Sequence, residues 1–135
     1  MRKRVLFLCT GNSARSQLAE ALMRHYRGEE FDVFSAGTDP KGVHPKTIEV
    51  LQEIGIDPSP LRSKHINDLP LKEFDWIISL CDSAAQNCPI FLGKGKKLHH
   101  GFTDPAAAVG TDQEILDSFR KVRDAIKAFI LSFKA

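Results

Sequence analysis

The chain has 135 residues, enough for a single domain (residues 1–135) whose hydrophobic core needs no disulfide bonds. Its hydrophobic content of 42% and net charge of +2 are ordinary for a globular protein and do not indicate nucleic acid binding. The densest basic cluster, Lys94-Gly-Lys96-Lys97, is typical of a solvated turn. The apolar run after Arg2-Lys3-Arg4 is too short for a signal peptide or a membrane span. We therefore expect a cytoplasmic monomer in a compartment that keeps thiols reduced.

Apolar patterning predicts strands that alternate with helices along the chain. The predicted strands are residues 5–8, 31–36, 76–80 and a short 97–99. The predicted helices are residues 16–26, a second that begins at Pro45 and ends before Gly55, and a C-terminal helix with an apolar face over residues 115–133. This order predicts an α/β fold with a doubly wound, four-stranded parallel sheet flanked by helices. Ligands of such folds bind beyond the carboxyl ends of the strands.

A loop of small residues joins the first predicted strand to the first predicted helix. It reads Cys9-Thr10-Gly11-Asn12-Ser13-Ala14-Arg15-Ser16. Small side chains let backbone N–H groups approach a tetrahedral oxyanion, with the positive end of the following helix behind them. Arg15 can bind two oxygens of that anion, and the same field favours the nucleophilic thiolate of Cys9. We predict that Cys9 attacks the anion, although a cysteine here is also compatible with an ordinary core position.

Two more cysteines, Cys81 and Cys88, follow the third predicted strand at a spacing that does not suit zinc. Residues 82–87 favour a short helix, whose rise of about 10 Å separates the two cysteines. A disulfide spans only about 4.4–6.8 Å between Cα atoms, so this pair must unwind the helix to form one. Two buried core cysteines are one interpretation. The Cys9 loop favours the other, in which Cys81 reaches Cys9 and Cys88 then exchanges with Cys81.

A possible acid, Asp104, follows the fourth predicted strand and precedes Pro105. An Asp-Pro pair by itself indicates only a turn, in which the proline keeps the aspartate extended. A carboxylate beside the anion site can protonate a leaving oxygen. Because this loop and the Cys9 loop both follow parallel strands, we expect them to meet at one edge of the sheet.

These motifs, together with Ser35-Ala36-Gly37-Thr38, resemble the thioredoxin-coupled arsenate reductases of the low-molecular-weight protein tyrosine phosphatase superfamily. The resemblance extends from Lys3 to the C-terminal helix. The Cys9 loop and the Asp-Pro pair are common to the whole superfamily, whereas Cys81 with Cys88 is typical of the reductases. The run Ala106-Ala107-Ala108 agrees, since the phosphatases usually carry aromatic residues there.

The resemblance implies a reaction cycle carried by three thiols. Cys9 attacks arsenate held by residues 10–16, with Arg15 as the main cationic partner and Asp104 as the acid; Asn12 and Ser16 hold the thiolate and the loop. Cys81 then attacks Cys9, which releases arsenite and leaves a disulfide. Finally Cys88 attacks Cys81, and thioredoxin reduces the resulting disulfide. No organic cofactor or metal is implied.

Two positions depart from the family pattern, and two alternative functions stay open. His100 stands where the family often has tryptophan. Lys64 stands where some members use a carboxylate to bind potassium; a lysine repels a cation and is expected to pair with Glu20 instead. The alternatives are a phosphatase whose extra cysteines only protect Cys9 from oxidation, and a non-catalytic redox sensor that binds anions.

Overall fold

A computed structural model describes residues 2–81 and 93–135, and its central feature is a four-stranded parallel sheet. The elements, in chain order, are β1 (Lys3–Leu8), α1 (Arg15–Arg27), β2 (Phe31–Ala36), α2 (Pro45–Gln52), β3 (Glu73–Ser79), β4 (Lys94–His99) and α3 (Asp112–Ser132), with short 3₁₀ helices at Ile66–Asp68 and Pro105–Ala107. The predicted α/β class and parallel sheet are confirmed.

The strand order β2-β1-β3-β4 gives the sheet a switch point between β1 and β3. The chain adds β2 on one side of β1 and then returns to add β3 on the other. Ligands bind outside the carboxyl ends of the strands at such a point, because the connections leave in opposite directions and open a crevice. Cys9 follows β1 directly and Cys81 follows β3 after Leu80, so both lie at the carboxyl edge of the sheet, where this crevice opens.

Alternate residues of β1 point into two separate apolar clusters. Val5 and Phe7 lie in the larger cluster, to which α1, α2 and α3 contribute buried side chains such as Leu18, Leu51 and Phe119. Leu6 and Leu8 lie in a smaller cluster on the opposite face, together with Ala36, Phe74 and Ile77. A strand buried on both faces explains the continuous apolar run of β1.

The prediction of a solvated turn at Lys94-Gly-Lys96-Lys97 is wrong, because these residues form most of β4. β4 lies at the edge of the sheet and pairs only with β3, so backbone hydrogen bonds hold it while its lysines stay exposed. Gly95 is required there, since a Cβ at that position would lie 2.5 Å from the carbonyl oxygen of Phe74. Exposed lysines on an edge strand also oppose pairing with another chain.

α2 and α3 begin at clear sequence signals. Thr111 and Glu114 form a reciprocal capping box at the start of α3. α2 begins with Pro45 directly after His44, whose side chain caps the helix. Arg123 fixes α2 against α3 by donating to the carbonyl of Val50 at 2.9 Å. Within residues 2–81 and 93–135, no helix combines the length and apolarity that crossing a membrane requires.

Candidate active site

The backbone carbonyls of the loop between β1 and α1 accept hydrogen bonds from residues outside the loop. Three of them accept hydrogen bonds of 3.0–3.1 Å from the segment that follows β2: Thr10 O from Asp39 N, Gly11 O from Lys41 N and Ser13 O from His44 N. A fourth, Asn12 O, accepts from the side chain of Gln17. In a trans peptide the N–H points opposite to the C=O, so these bonds turn the N–H groups of residues 11–14 towards the pocket. The loop can therefore cradle an anion.

Glycine is required at residue 37 because β2 ends against the outer side of this loop. A Cβ on Gly37 would lie 2.3 Å from Thr10 O and 2.6 Å from Cys9 O. Asn12 adopts a left-handed backbone with φ of 44°, which turns the loop sharply. Gly37 and Asn12 together fix the loop in the shape that directs its backbone N–H groups towards the pocket.

The side chain of Asn12 uses all four of its hydrogen-bonding positions inside the protein. Its Nδ2 donates to Ser16 Oγ at 2.7 Å and to Ser35 Oγ at 3.0 Å. Its Oδ1 accepts from the backbone N–H of Lys64 at 2.7 Å and from Gln17 Nε2 at 2.9 Å. Ser16 Oγ lies 2.9 Å from Cys9 Sγ. Because Nδ2 donates to the serine oxygen, the hydroxyl proton of Ser16 is available for the sulfur.

Glu20 is a buried carboxylate at the far end of this network. It accepts from Ser35 Oγ at 2.7 Å and lies 3.1 Å from Arg24 Nη1 and 3.5 Å from Lys64 Nζ. The expected pairing of Lys64 with Glu20 is confirmed. Two cationic side chains already face this carboxylate, so the residues present do not fit a bound potassium ion.

Arg15 connects the anion loop to the loop that carries Asp104. Its Nη1 donates to Phe102 O at 3.2 Å, and its Nη2 lies 3.7 Å from Asp104 Oδ2. Asp104 Oδ1 accepts from the backbone N–H of Ala106 at 3.0 Å. This contact leaves Oδ2 as the oxygen that can carry a proton. The expected meeting of the two loops is confirmed.

A pocket of about 420 Å³ lies between these loops and collects most of the predicted site residues. Its lining is Cys9, Thr10, Gly11, Ser13, Ala14, Arg15, Lys41, His44, Asp104 and Ala106. Asn12 and Ser16 are fully buried, and their side chains bind the loop and the sulfur of Cys9. The pocket thus brings together a thiol, a loop of small residues with a guanidinium, and a carboxyl group.

Cys81 lies one residue beyond the position that the sheet register places opposite Cys9. Leu8 is paired with Ser79, and the N–H of Leu80 donates to the carbonyl of Leu8 at 2.9 Å. Both Cys9 and Cys81 are buried. Cys88 and the helix predicted for residues 82–87 lie outside the described residues, so their placement stays a prediction.

His100 stacks on Phe102 with ring centroids 4.6 Å apart, and its ring centroid lies 4.5 Å from that of Phe129. Its imidazole therefore occupies an aromatic cluster behind the loop of Asp104.

Sequence reasoning missed three residues around the pocket: Gln17, Lys41 and His44. Gln17 is buried and bonds to Asn12 and to the carbonyl of Arg62. Its position directly after Ser16 is the only feature of the local sequence that could have indicated a role in the site. Lys41 and His44 reach the pocket from the segment after β2, which the sequence identified only as a connection. His44 stands before Pro45, where a capping residue is expected.

Fold and site together define an α/β protein with a buried cysteine after its first strand and an arginine at the start of its first helix, both at the switch point of a parallel sheet. The chain belongs to the low molecular weight phosphotyrosine protein phosphatase family, whose model matches residues 4–134.

Similar proteins within this family include arsenate reductases. One from Halalkalibacterium halodurans is 46% identical over 134 residues, which cover 98% of this chain and 96% of that protein. A solved arsenate reductase in an oxidized state has a TM-score of 0.76 and 30% identity, over 95% of this chain and 93% of that one. The thioredoxin-dependent arsenate reductase of Corynebacterium glutamicum has a TM-score of 0.60 and 31% identity, over 98% of this chain and 64% of its own.

Replacing Gly37 by alanine should distort the anion loop. The added methyl overlaps the carbonyls of Cys9 and Thr10, and such overpacking costs about 1–3 kcal/mol. We expect the free energy of unfolding to fall by this amount and inorganic phosphate to bind at least tenfold more weakly, measured by urea unfolding and calorimetry. Gly55→Ala is the control. Its positive φ makes alanine unfavourable there too, but the added Cβ meets no neighbouring atom, so stability should fall while phosphate binding stays unchanged. Normal phosphate binding by Gly37→Ala would contradict the role given to this contact.

Replacing Lys64 by methionine should weaken the network around Glu20. The buried carboxylate then keeps only Arg24 as a cationic partner, and loss of a partner of a buried polar group costs about 1–3 kcal/mol. Urea unfolding should show this loss. Lys94→Met is the matched control, because the ion pair of Lys94 with Glu73 is exposed, and exposed pairs contribute about 0–1 kcal/mol. Equal effects of the two substitutions would argue against a structural role for Lys64.

Proposed function

We propose that this protein reduces arsenate to arsenite with Cys9, Cys81 and Cys88, and that thioredoxin returns the oxidised enzyme to its dithiol form. The observation that carries the proposal is the position of Cys81. It follows the strand next to that of Cys9, at the same edge of the sheet as the pocket that holds Arg15 and Asp104. A phosphatase needs no second thiol there. The arsenate reductases among the similar proteins support the same conclusion.

In the first step the Cys9 thiolate attacks the arsenic atom of arsenate. A sulfur–arsenic bond forms, and one oxygen leaves as water after it takes a proton from Asp104. The amides of residues 11–14 and the guanidinium of Arg15 stabilise the negative charge on the remaining oxygens. Ser16 Oγ, 2.9 Å from Cys9 Sγ, supports the thiolate before the attack.

In the second step Cys81 attacks the sulfur of Cys9. A disulfide forms, the sulfur–arsenic bond breaks, and its electron pair stays on arsenic, which leaves as arsenite. Two thiols have then lost two electrons, and As(V) has gained them. Cys88 next attacks Cys81, which frees the Cys9 thiolate. The dithiol of thioredoxin reduces the Cys81–Cys88 disulfide and is itself oxidised.

The pocket favours a small oxyanion over an aryl phosphate. Ala106 lines its side next to Asp104, and the described lining residues include no phenyl, phenol or indole ring. A phenyl ring attached to a phosphate would therefore lack a stacking partner of the kind that a tyrosine phosphatase provides. The family match keeps phosphatase activity as the alternative.

The deciding experiment measures NADPH oxidation with arsenate, thioredoxin and thioredoxin reductase present. Many turnovers per enzyme are expected, with arsenite as the product. Fast hydrolysis of phosphotyrosine without NADPH oxidation would favour the phosphatase. Anion binding without turnover of either substrate would favour the redox sensor.

Replacing Asp104 by asparagine should slow arsenate reduction by roughly 10²–10⁴, the usual range for a positioned acid. The amide keeps an oxygen for the N–H of Ala106, so the loop should stay in place. Single-turnover arsenite release measures the effect. Asp57→Asn is the matched control, since Asp57 makes the same kind of turn contact with Ser59 N outside the pocket. An unchanged chemical step in Asp104→Asn would remove Asp104 from the mechanism.

Replacing Cys88 by serine should stop turnover after one cycle. One arsenite per enzyme is expected, with a Cys9–Cys81 disulfide identified by mass spectrometry. Phosphate ester hydrolysis requires neither Cys81 nor Cys88 and should persist in the reduced variant. Cys81→Ser is the companion variant and should release no arsenite. Sustained thioredoxin-driven turnover by Cys88→Ser would show that Cys88 is not the resolving thiol.

A further inference from the structure

His44 is a pocket residue that the reaction scheme above does not use. It ends the segment that follows β2 and begins α2, and its ring lines the same pocket as Cys9, Arg15 and Asp104. Its backbone N–H donates to Ser13 O at 3.1 Å, so the residue is tied directly to the anion loop.

Two contacts fix the imidazole of His44. The ring packs against Phe119 of α3 with centroids 4.7 Å apart and planes inclined by 39°. Its Nδ1 accepts a hydrogen bond from the backbone N–H of Lys46 at 3.0 Å. Because Nδ1 is an acceptor, the single proton of the neutral ring is on Nε2. Nδ1 is directed towards the first turn of α2, so Nε2–H points to the other side of the ring.

The ring is neutral at neutral pH. Burial lowers the pKa of His44 below its ordinary value of 6.5, and the nearby ammonium of Lys46 lowers it further, while Asp104 partly opposes this. The ammonium of Lys46 also forms an ion pair with Asp112, whose carboxylate lies 3.6 Å away. His44 therefore offers the pocket a fixed, uncharged hydrogen-bond donor.

We propose that His44 binds the substrate directly, by donating Nε2–H to an oxygen of the oxyanion held by the Cys9 loop. The donor lies on the side of the pocket formed by the segment after β2, whereas Arg15 and the loop amides act from β1 and α1. An oxyanion with four oxygens has enough acceptors for both sets of donors. This inference concerns the pocket used by the proposed function and rests on it for the identity of the natural substrate.

The competing explanation is that His44 only caps α2. The chain contains a matched case, because His65 caps the 3₁₀ helix Ile66–Asp68 by accepting from Asn67 N at 2.9 Å through its own Nδ1. His65 is not among the described residues that line the pocket. Identical substitutions at residues 44 and 65 therefore separate capping from anion binding.

The test uses four variants: His44→Asn, His44→Ser, His65→Asn and His65→Ser. Asparagine and serine are good capping residues, so both replacements keep the acceptor for the helix N–H. Serine has no donor that extends into the pocket, and the amide of asparagine ends short of the position of Nε2. The probe is inorganic phosphate, whose dissociation constant is measured by calorimetry on the reduced protein. Thermal unfolding of every variant measures the effect on capping.

We expect both His44 variants to bind phosphate about ten- to a hundredfold more weakly, as for one lost hydrogen bond to a charged group. Both His65 variants should bind it as the unchanged protein does. Phosphate binding by His44→Asn and His44→Ser within twofold of the unchanged protein would overturn the proposal. An equal weakening in all four variants, or a weakening that follows the loss of thermal stability, would also overturn it. If phosphate binding changes as expected in the four variants but the unchanged protein does not reduce arsenate, the proposed function is rejected and the role of His44 stands.

Discussion

The orientation of the peptide planes in residues 10–14 is the constraint on which the rest of the site depends. A loop amide can face an anion only if the carbonyl on the same peptide faces the other way, into the protein, where it needs a hydrogen-bond donor of its own. The segment after β2 supplies three such donors, and Gln17 supplies a fourth. The anion site is thus formed as much by the outer layer of donors as by the loop itself.

The hydrogen bonds that connect Glu20 to Cys9 have a fixed direction. Glu20 can only accept, so the hydroxyl of Ser35 donates to it and must accept from Asn12. The Asn12 amide cannot then rotate by half a turn, because the backbone N–H of Lys64 requires its oxygen. Its second N–H goes to Ser16, which leaves the hydroxyl proton of Ser16 for Cys9. A buried carboxylate thus specifies, through three side chains, a donor at the sulfur.

Local patterns predict the fold well, and they also predict that the Cys9 loop and the Asp104 loop meet. The apolar run of β1 and the small residues after it indicate a strand and an anion loop, and the topology of a parallel sheet brings Asp104 to that loop. The strand predicted at residues 97–99 is the second half of β4, but the sequence pattern of the first half indicates a turn. An edge strand needs backbone pairing and no apolar side chains, so Lys94-Gly-Lys96 carries no strand signal. Gln17 and His44 were missed because their roles come from contacts with Arg62, Phe119 and the loop carbonyls, which only the folded chain creates.

In the proposed reaction, the contact between Arg15 and Asp104 serves both anion binding and proton transfer. The guanidinium is held by Phe102 O, so it is ordered before substrate arrives and loses little side-chain freedom on binding. The backbone N–H of Ala106 occupies one oxygen of Asp104, and the other faces Arg15 at 3.7 Å. An oxyanion that binds Arg15 therefore places an oxygen beside the carboxyl oxygen that can carry the proton. The cation that binds the substrate thereby also positions the acid for the oxygen that must leave.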